Sequence, residues 1–349
     1  MSTLPPRTPT SLSPTPSVRA QAFPHRRAGH CGSGALRDLL EFHGLDYGHG
    51  PLSEPMVFGL AGGLGFFFSD QVPGIPFYLV GRTGSMERDI GEHLAAPVTF
   101  EQTDDAAQGW ESVKAAIDRG DPPMVWADIG ELEYLRVRMR NTRHDIVIVD
   151  HDEGRGIAWV ADNDREDLQA CSLDSLHRAR NSQSFPAPTR NAMFTYRWPT
   201  ELPALADVVR DVASATSKNM RQSAQTVGSL EGRTGLDGVE YFAGTFGDWP
   251  ARFGDRLPEA LDTLAVLIIK AGTGGAMFRS LQAGYLEETA ELLDDATVRS
   301  AAERYRTLSD AWEALGARAA AHEVAEARDV IQQIRRLEPE ALQALERTI

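Results

Sequence analysis

Apolar positions Ala35, Leu36, Leu39, Leu40 and Phe42 recur at helical spacing within CGSGALRDLLEFHG, and Gly44 supplies a stop. This segment is predicted as a helix, with Cys31 at or just before its N-terminus. Residues 50–80, rich in glycine and aromatics, predict a short helix, a tight loop and a buried strand. GWESVKAAIDRG predicts an amphipathic helix ending at Gly120, followed by PPMVWADI as a strand. The clearest β pattern comes next: HDIVIVD (144–150) and GIAWVAD (156–162), two strands joined by the turn-rich HDEGR. AMFTYRW (192–198) predicts a last strand. After Pro199 the spacing becomes helical through ELPALADVVRDVASATSKNMRQS, PEALDTLAVLIIKAG, GAMFRSLQAGYLEETAELL and the long run from Thr297 onward. The expected organisation is a disordered Pro/Ser/Thr-rich tail at 1–21, an α+β domain at 22–199 and a helical domain at 200–349.

Composition narrows the function classes. With 349 residues, 42% of them hydrophobic, the chain is long enough for two cores. Its net charge of −15 is shared almost evenly between residues 1–199 and 200–349. Such a balance argues against nucleic acid as a partner, because phosphate binding needs a basic surface. No run of about 18 apolar residues is present to span a membrane. The tail lacks the apolar core of a secretory signal, so a cytoplasmic protein is expected. Two cysteines, Cys31 and Cys171, make neither a disulfide framework nor a cysteine-rich zinc site. No bound metal or cofactor is expected, and the question becomes whether either cysteine is a nucleophile.

Cys31 is the stronger candidate. A thiol at a helix N-terminus is acidified by the helix dipole and by backbone N–H groups, which can also form part of an oxyanion hole. Such a thiol needs a histidine base and a carboxylate or amide to orient it. Pairing Asp150 with Gly156 or Ile157 across the turn would set His144 opposite Asp162 or Asn163. Directly opposed side chains lie about 5 Å apart at Cβ and point to one face. The order cysteine on a helix, then histidine and Asp/Asn on a hairpin, is papain-like, so the expected fold class is α+β with a papain-like catalytic domain followed by a helical domain. Such a site also wants a side-chain oxyanion donor several residues before the cysteine. His25 occupies that offset, with Gln21 a little farther off. Among rivals, His151 reads as a solvated loop residue, His30 lies adjacent to the thiol along the chain, and Cys171 reads as a packing residue.

The run HRRAGHCGSGALRDLLEFHG, followed by LSEPMVFGLAGGLGFFF, resembles the N-terminal domain of butirosin biosynthesis protein H and its relatives. KAGTGGAMFRSLQAGYLEETAELL and RYRTLSDAWEAL resemble the helical domain of unknown function that accompanies it. Related papain-like folds, including the bacteriocin-processing C39 peptidases, carry an element like His144 through Asp162. The resemblance implies an acyltransferase that moves an acyl group from an acyl carrier protein thioester to an amine. Cys31 would then take the acyl group from a phosphopantetheine arm, His144 would act as base and acid, and Asp162 would orient His144. Where the family has aspartate–proline this chain has Asp162–Asn163, which keeps Asn163 as a second orienter. Asp145 stands where such strands usually continue apolar.

Further expectations attach to this reading. Glu54 opens a short helix or, near Cys31, binds an incoming amine. Phe66 and Phe67 would wall an acyl pocket, and Arg279 beside a glycine-rich helix break would hold a pantetheine phosphate. An acidic enzyme needs a local basic patch to meet an acidic carrier, and LRVRMRNTRHD offers Arg136, Arg138, Arg140 and Arg143. The expected partners are an acyl or peptidyl carrier and an amine-bearing small molecule, and the C-terminal helices offer a homodimer surface. Two alternatives stand beside transfer: a thioesterase or peptidase-like hydrolase on the same triad, and a noncatalytic carrier- or peptide-binding protein.

Overall fold

The computed structural model describes residues 16–72, 74–137, 139–224, 226–227, 230–270 and 275–349. In chain order it has α1 (Val18–Ala22), α2 (Cys31–Phe42), α3 (Glu54–Leu60), β1 (Leu64–Ser69), β2 (Tyr78–Arg82), α4 (Met86–His93), β3 (Val98–Glu101) and α5 (Ala106–Asp118). β4 (Met124–Ala127), β5 (His144–Asp152), β6 (Ile157–Ala161), β7 (Gln169–Ser172), α6 (Leu173–Arg180) and β8 (Met193–Tyr196) follow. The remainder is α7 (Leu205–Arg221), the short β9 (Thr226–Val227), β10 (Leu230–Glu231) and β11 (Arg233–Thr234), then α8 (Gly235–Thr245), α9 (Trp249–Phe253), α10 (Leu257–Ile269), α11 (Arg279–Leu293), α12 (Ala296–Ala320) and α13 (Val324–Glu346). The mixture of helices and sheets is the α+β class expected. Among the described residues no helix is long and apolar enough to cross a membrane.

The chain forms two compact units, which are interleaved in sequence. The first comprises residues up to His25 and Glu101–Met193; the second comprises Arg26–Phe100 and Phe194–Ile349. The expected boundary at 199 is therefore corrected. The expected tail is corrected too, since Ser17 caps α1 by accepting from the Ala20 N–H, and Ala20 is fully buried. Arg19 fastens this helix by donating to the Ile117 carbonyl at 2.8 Å, and Ser17 bonds to Asp150. Residues 1–15 of that tail lie outside the described residues.

In the first unit β4, β5, β6 and β7 are successive antiparallel neighbours. One face presents Val125, Ala127, Ile146, Ile148, Ala158, Val160 and Cys171, covered by Trp110, Val113 and Ile117 of α5 and Leu176 and Ala179 of α6. The β5–β6 register pairs Val147 with Ala161 and Ile148 with Val160, then slips at a bulge to pair Asp150 with Trp159 and Asp152 with Ile157. β5 thus runs two residues farther into the turn than the sequence pattern indicates, while β6 begins at Ile157.

The second unit explains why the C-terminal helices fold with residues 26–100. β1 is buried along its whole length and pairs with β2 and β11. Phe66 packs on Phe242 and Trp312, and Phe67 on Tyr78. At the centre, Arg279 donates to the carbonyls of Gly65, Gly81 and Met277 and to both carboxylate oxygens of Glu338. Trp312 adds a bond to the same carboxylate at 2.8 Å. Gly81 is required here, because a Cβ on it would stand 2.3 Å from the Met277 carbonyl oxygen.

Candidate active site

Cys31 is the first residue of α2, with His30 as its N-cap, so the thiol sits where the helix dipole favours a thiolate. The side chain of Cys31 is partly accessible, and neither cysteine forms a disulfide. The His30 Nδ1 accepts the Ser33 N–H at 3.2 Å, an imidazole serving as the capping acceptor. Glu54, the first residue of α3, completes the cap from another helix. Its Oε2 accepts the Gly29 N–H at 2.8 Å, and its Oε1 accepts the His30 N–H at 2.8 Å and the Ser33 hydroxyl at 2.9 Å. This is a capping box assembled in tertiary structure: the carboxylate that would ordinarily stand at the third helical position comes from α3 instead. Arg37 holds the incoming loop from the other side, bonding the carbonyls of Arg26 and Arg27 while paired with buried Asp38.

The histidine half lies in the first unit. His144 opens β5 on the same face as Ile146 and Ile148, at the end of that apolar row. Its Nε2 donates to Asp162 Oδ2 at 2.9 Å. The observed register sets Asp162 diagonally across from His144 rather than directly opposite. A slip of two residues preserves the face and a slip of one reverses it, which is why the bond goes to Asp162 and not to Asn163. Tyr134 donates its hydroxyl to the same Oδ2 at 2.8 Å, and Asp162 Oδ1 accepts the Asp164 N–H. Burial alone would raise the Asp162 carboxyl. The charge and hydrogen bond of His144, with the Asp164 N–H and Tyr134 hydroxyl, outweigh it and hold the carboxyl below its ordinary value. Tyr134 is pushed well up, by burial first and then by Asp162, so it stays a donor. With Nε2 carrying the proton toward Asp162, Nδ1 is the nitrogen with the lone pair in neutral His144.

The structure thus brings together His144, Asp162 and Tyr134 in one unit, and Cys31, His30, Ser33 and Glu54 in the other. His25 belongs to the N-terminal segment of the first unit, and the Gln21 side chain there donates to the Pro16 carbonyl. Glu54 opens a short helix, the first of its two expected readings, and the pocket-wall and phosphate expectations are corrected. Glu54 engages both its oxygens in capping and so orients the Cys31 turn. Phe66 and Phe67 are each 3% exposed and belong to the core of the second unit. Arg279 is fully buried against Glu338 and three carbonyls, so it braces the fold and does not present itself to a phosphate; residues 271–274 of the glycine-rich run are outside the described residues. The described residues of the arginine run before His144 form a loop. Arg140 is paired with Asp128 and Glu131, Arg143 lies 3.6 Å over the Trp126 ring, Arg136 is exposed, and Arg138 is not among the described residues. His151 is a half-buried strand residue against Trp110. Cys171 packs in the core, its thiol pushed up to about 12 by burial. Sequence reasoning missed Tyr134, which sits in a loop with no periodic signal, and Ser33, whose place at the third helical position was a readable one.

Residues 30–163 match the family described as butirosin biosynthesis protein H, N-terminal, and residues 174–345 match a domain of unknown function, DUF4872. The chain thus carries a domain like the N-terminal domain of butirosin biosynthesis protein H, a family named for antibiotic biosynthesis, followed by DUF4872. No curated protein matches the chain.

Proposed function

We propose that this protein is a cysteine-dependent acyltransferase with Cys31 as nucleophile, His144 as its base and acid, and Asp162 as orienter, on a papain-like plan. The buried His144–Asp162 bond carries the reading, because it fixes the tautomer whose Nδ1 can take a thiol proton. The thiolate of Cys31 attacks the carbonyl of an acyl-pantetheine thioester on a carrier protein. The tetrahedral adduct collapses, the pantetheine sulfur leaves with the proton from His144, and an acyl-cysteine remains. An amine then attacks that thioester, His144 takes its proton, and the amide departs as the Cys31 thiol is restored. Amides of the first turn of α2 are the donors for the developing oxyanion, with His25 as the side-chain candidate. The match to butirosin biosynthesis supports an amine-bearing acceptor over water.

Intact mass spectrometry tests this directly. Incubation with an acyl-pantetheine thioester is expected to add one acyl mass, which maps to Cys31 and is absent in Cys31→Ala. Addition of an aminoglycoside amine is expected to speed loss of the adduct, with amide appearing in step. Adduct loss that ignores every amine and yields only free acid would make the protein a hydrolase.

A further inference from the structure

Residues 276–278, just before α11, are three successive non-glycine residues at positive φ: Ala276 at 47°, Met277 at 53° and Phe278 at 67°. Such backbone is strained at non-glycine residues and persists only where its surroundings impose it. Here they do. Arg279 binds the Met277 carbonyl at 2.8 Å, the Phe278 N–H donates to the Gly275 carbonyl, and Gly81 leaves room for the Met277 oxygen. The result of this contorted turn is the placement of one ring. Phe278 is 1% exposed, stacked on Phe58 of α3 at 5.4 Å and set edge-to-face against His30 at 5.0 Å.

His30 is the residue that caps α2 under Cys31. Its Nδ1 can accept the Ser33 N–H in one ring orientation only, and a packed aromatic neighbour holds that orientation. The same C-terminal helix carries α3, which bears Glu54. Tyr285 lies over Gly59, where any Cβ would stand 2.0 Å from its ring, and Ser53 donates to Glu288 at 2.6 Å. We infer that the C-terminal domain of unknown function is part of the nucleophile's half-site, and that Phe278 is a positioning residue acting on Cys31 through the His30 cap. This rests on the reading of Cys31 as the reactive thiol.

The test is the pH dependence of Cys31 alkylation by iodoacetamide, read by peptide mass mapping, which needs no substrate. Cys171, with its thiol near 12, serves as the silent internal control. Phe278→Leu, which keeps most of the apolar volume, is expected to raise the alkylation midpoint of Cys31 by about half a pH unit, the size of a weakened helix-terminus interaction. His30→Asn keeps a short capping acceptor that needs no aromatic seat. In that background Phe278→Leu is expected to add nothing, whereas a merely structural role for Phe278 would move both backgrounds equally. Phe278→Met replaces Phe278→Leu should the leucine variant fail to fold. An unchanged midpoint, or the same rise in the His30→Asn background, overturns the inference. A coupled shift in a protein whose Cys31 accepts no acyl group would uphold the positioning role and reject acyl transfer.

Discussion

The two halves of the proposed machinery are built on opposite plans. His144 and Asp162 are 18 residues apart and meet across one hairpin, with Tyr134 reaching in from the preceding loop. The Cys31 turn is held by Glu54 from α3, and α3 in turn rests on α11, through contacts such as Ser53 to Glu288 that span 235 residues. The histidine half is a local device that any correctly registered hairpin would make. The cysteine half draws on the C-terminal helices, which form one compact unit with residues 26–100. Local perturbations should therefore strike chemistry in one half, and distant ones should strike the other.

The largest effect is expected from Asp162→Asn. The amide favours the wrong imidazole tautomer, so acyl transfer from a pantetheine thioester should fall about 10⁴-fold, as for the equivalent change in other histidine–aspartate pairs. Alkylation of Cys31 should slow far less, because the start of α2 still favours its thiolate, and a matching fall in alkylation would break the distinction between the halves. Next comes Arg279→Met, which leaves Glu338 buried without its partner at a cost of about 3–5 kcal/mol. Hydrogen exchange should show α11 and α13 losing more protection than β5 and β6; equal loss would mean the two units do not respond separately.

Glu54→Gln should cost about 1–3 kcal/mol, because an amide cannot accept from both N–H groups and the Ser33 hydroxyl. Urea unfolding would measure it, and slower Cys31 alkylation should accompany it. The smallest effect is that of Tyr134→Phe, about 1 kcal/mol from one lost hydrogen bond. It also carries a pH signature. The Asp162 carboxyl is held below its ordinary value, so its contribution is present above the unfolded pKa and disappears as pH falls through the folded one. Without Tyr134 that depression lessens, and the acid limb of stability should move to higher pH. An acid limb that stays in place would remove Tyr134 from the account.

The same contrast explains what was legible in the sequence. Alternation in HDIVIVD and GIAWVAD marked the hairpin, with the register set one or two residues short; because a two-residue slip keeps the face and a one-residue slip does not, Asp162 remained a valid partner and Asn163 did not. The helix after Cys31 was equally plain from its spacing. What could not be read were the tertiary partners. Nothing in the local pattern around Glu54 reports that its oxygens cap another helix, and nothing around Arg279 reports a carboxylate 59 residues downstream. Phe66 and Phe67 looked like pocket walls because a glycine-flanked aromatic run suits a cavity as well as a core. Helices α7 to α13 were read as a separate domain because helical periodicity says which face is apolar, not which sheet covers it.

The central claim is that His144 activates Cys31, and rapid-quench mass spectrometry of Cys31 acylation tests it most directly. With an acyl-pantetheine thioester in excess, His144→Ala should acylate Cys31 about 10²- to 10⁴-fold more slowly than the unaltered protein, the range that general-base assistance supplies. Equal acylation rates in the two proteins would contradict the account.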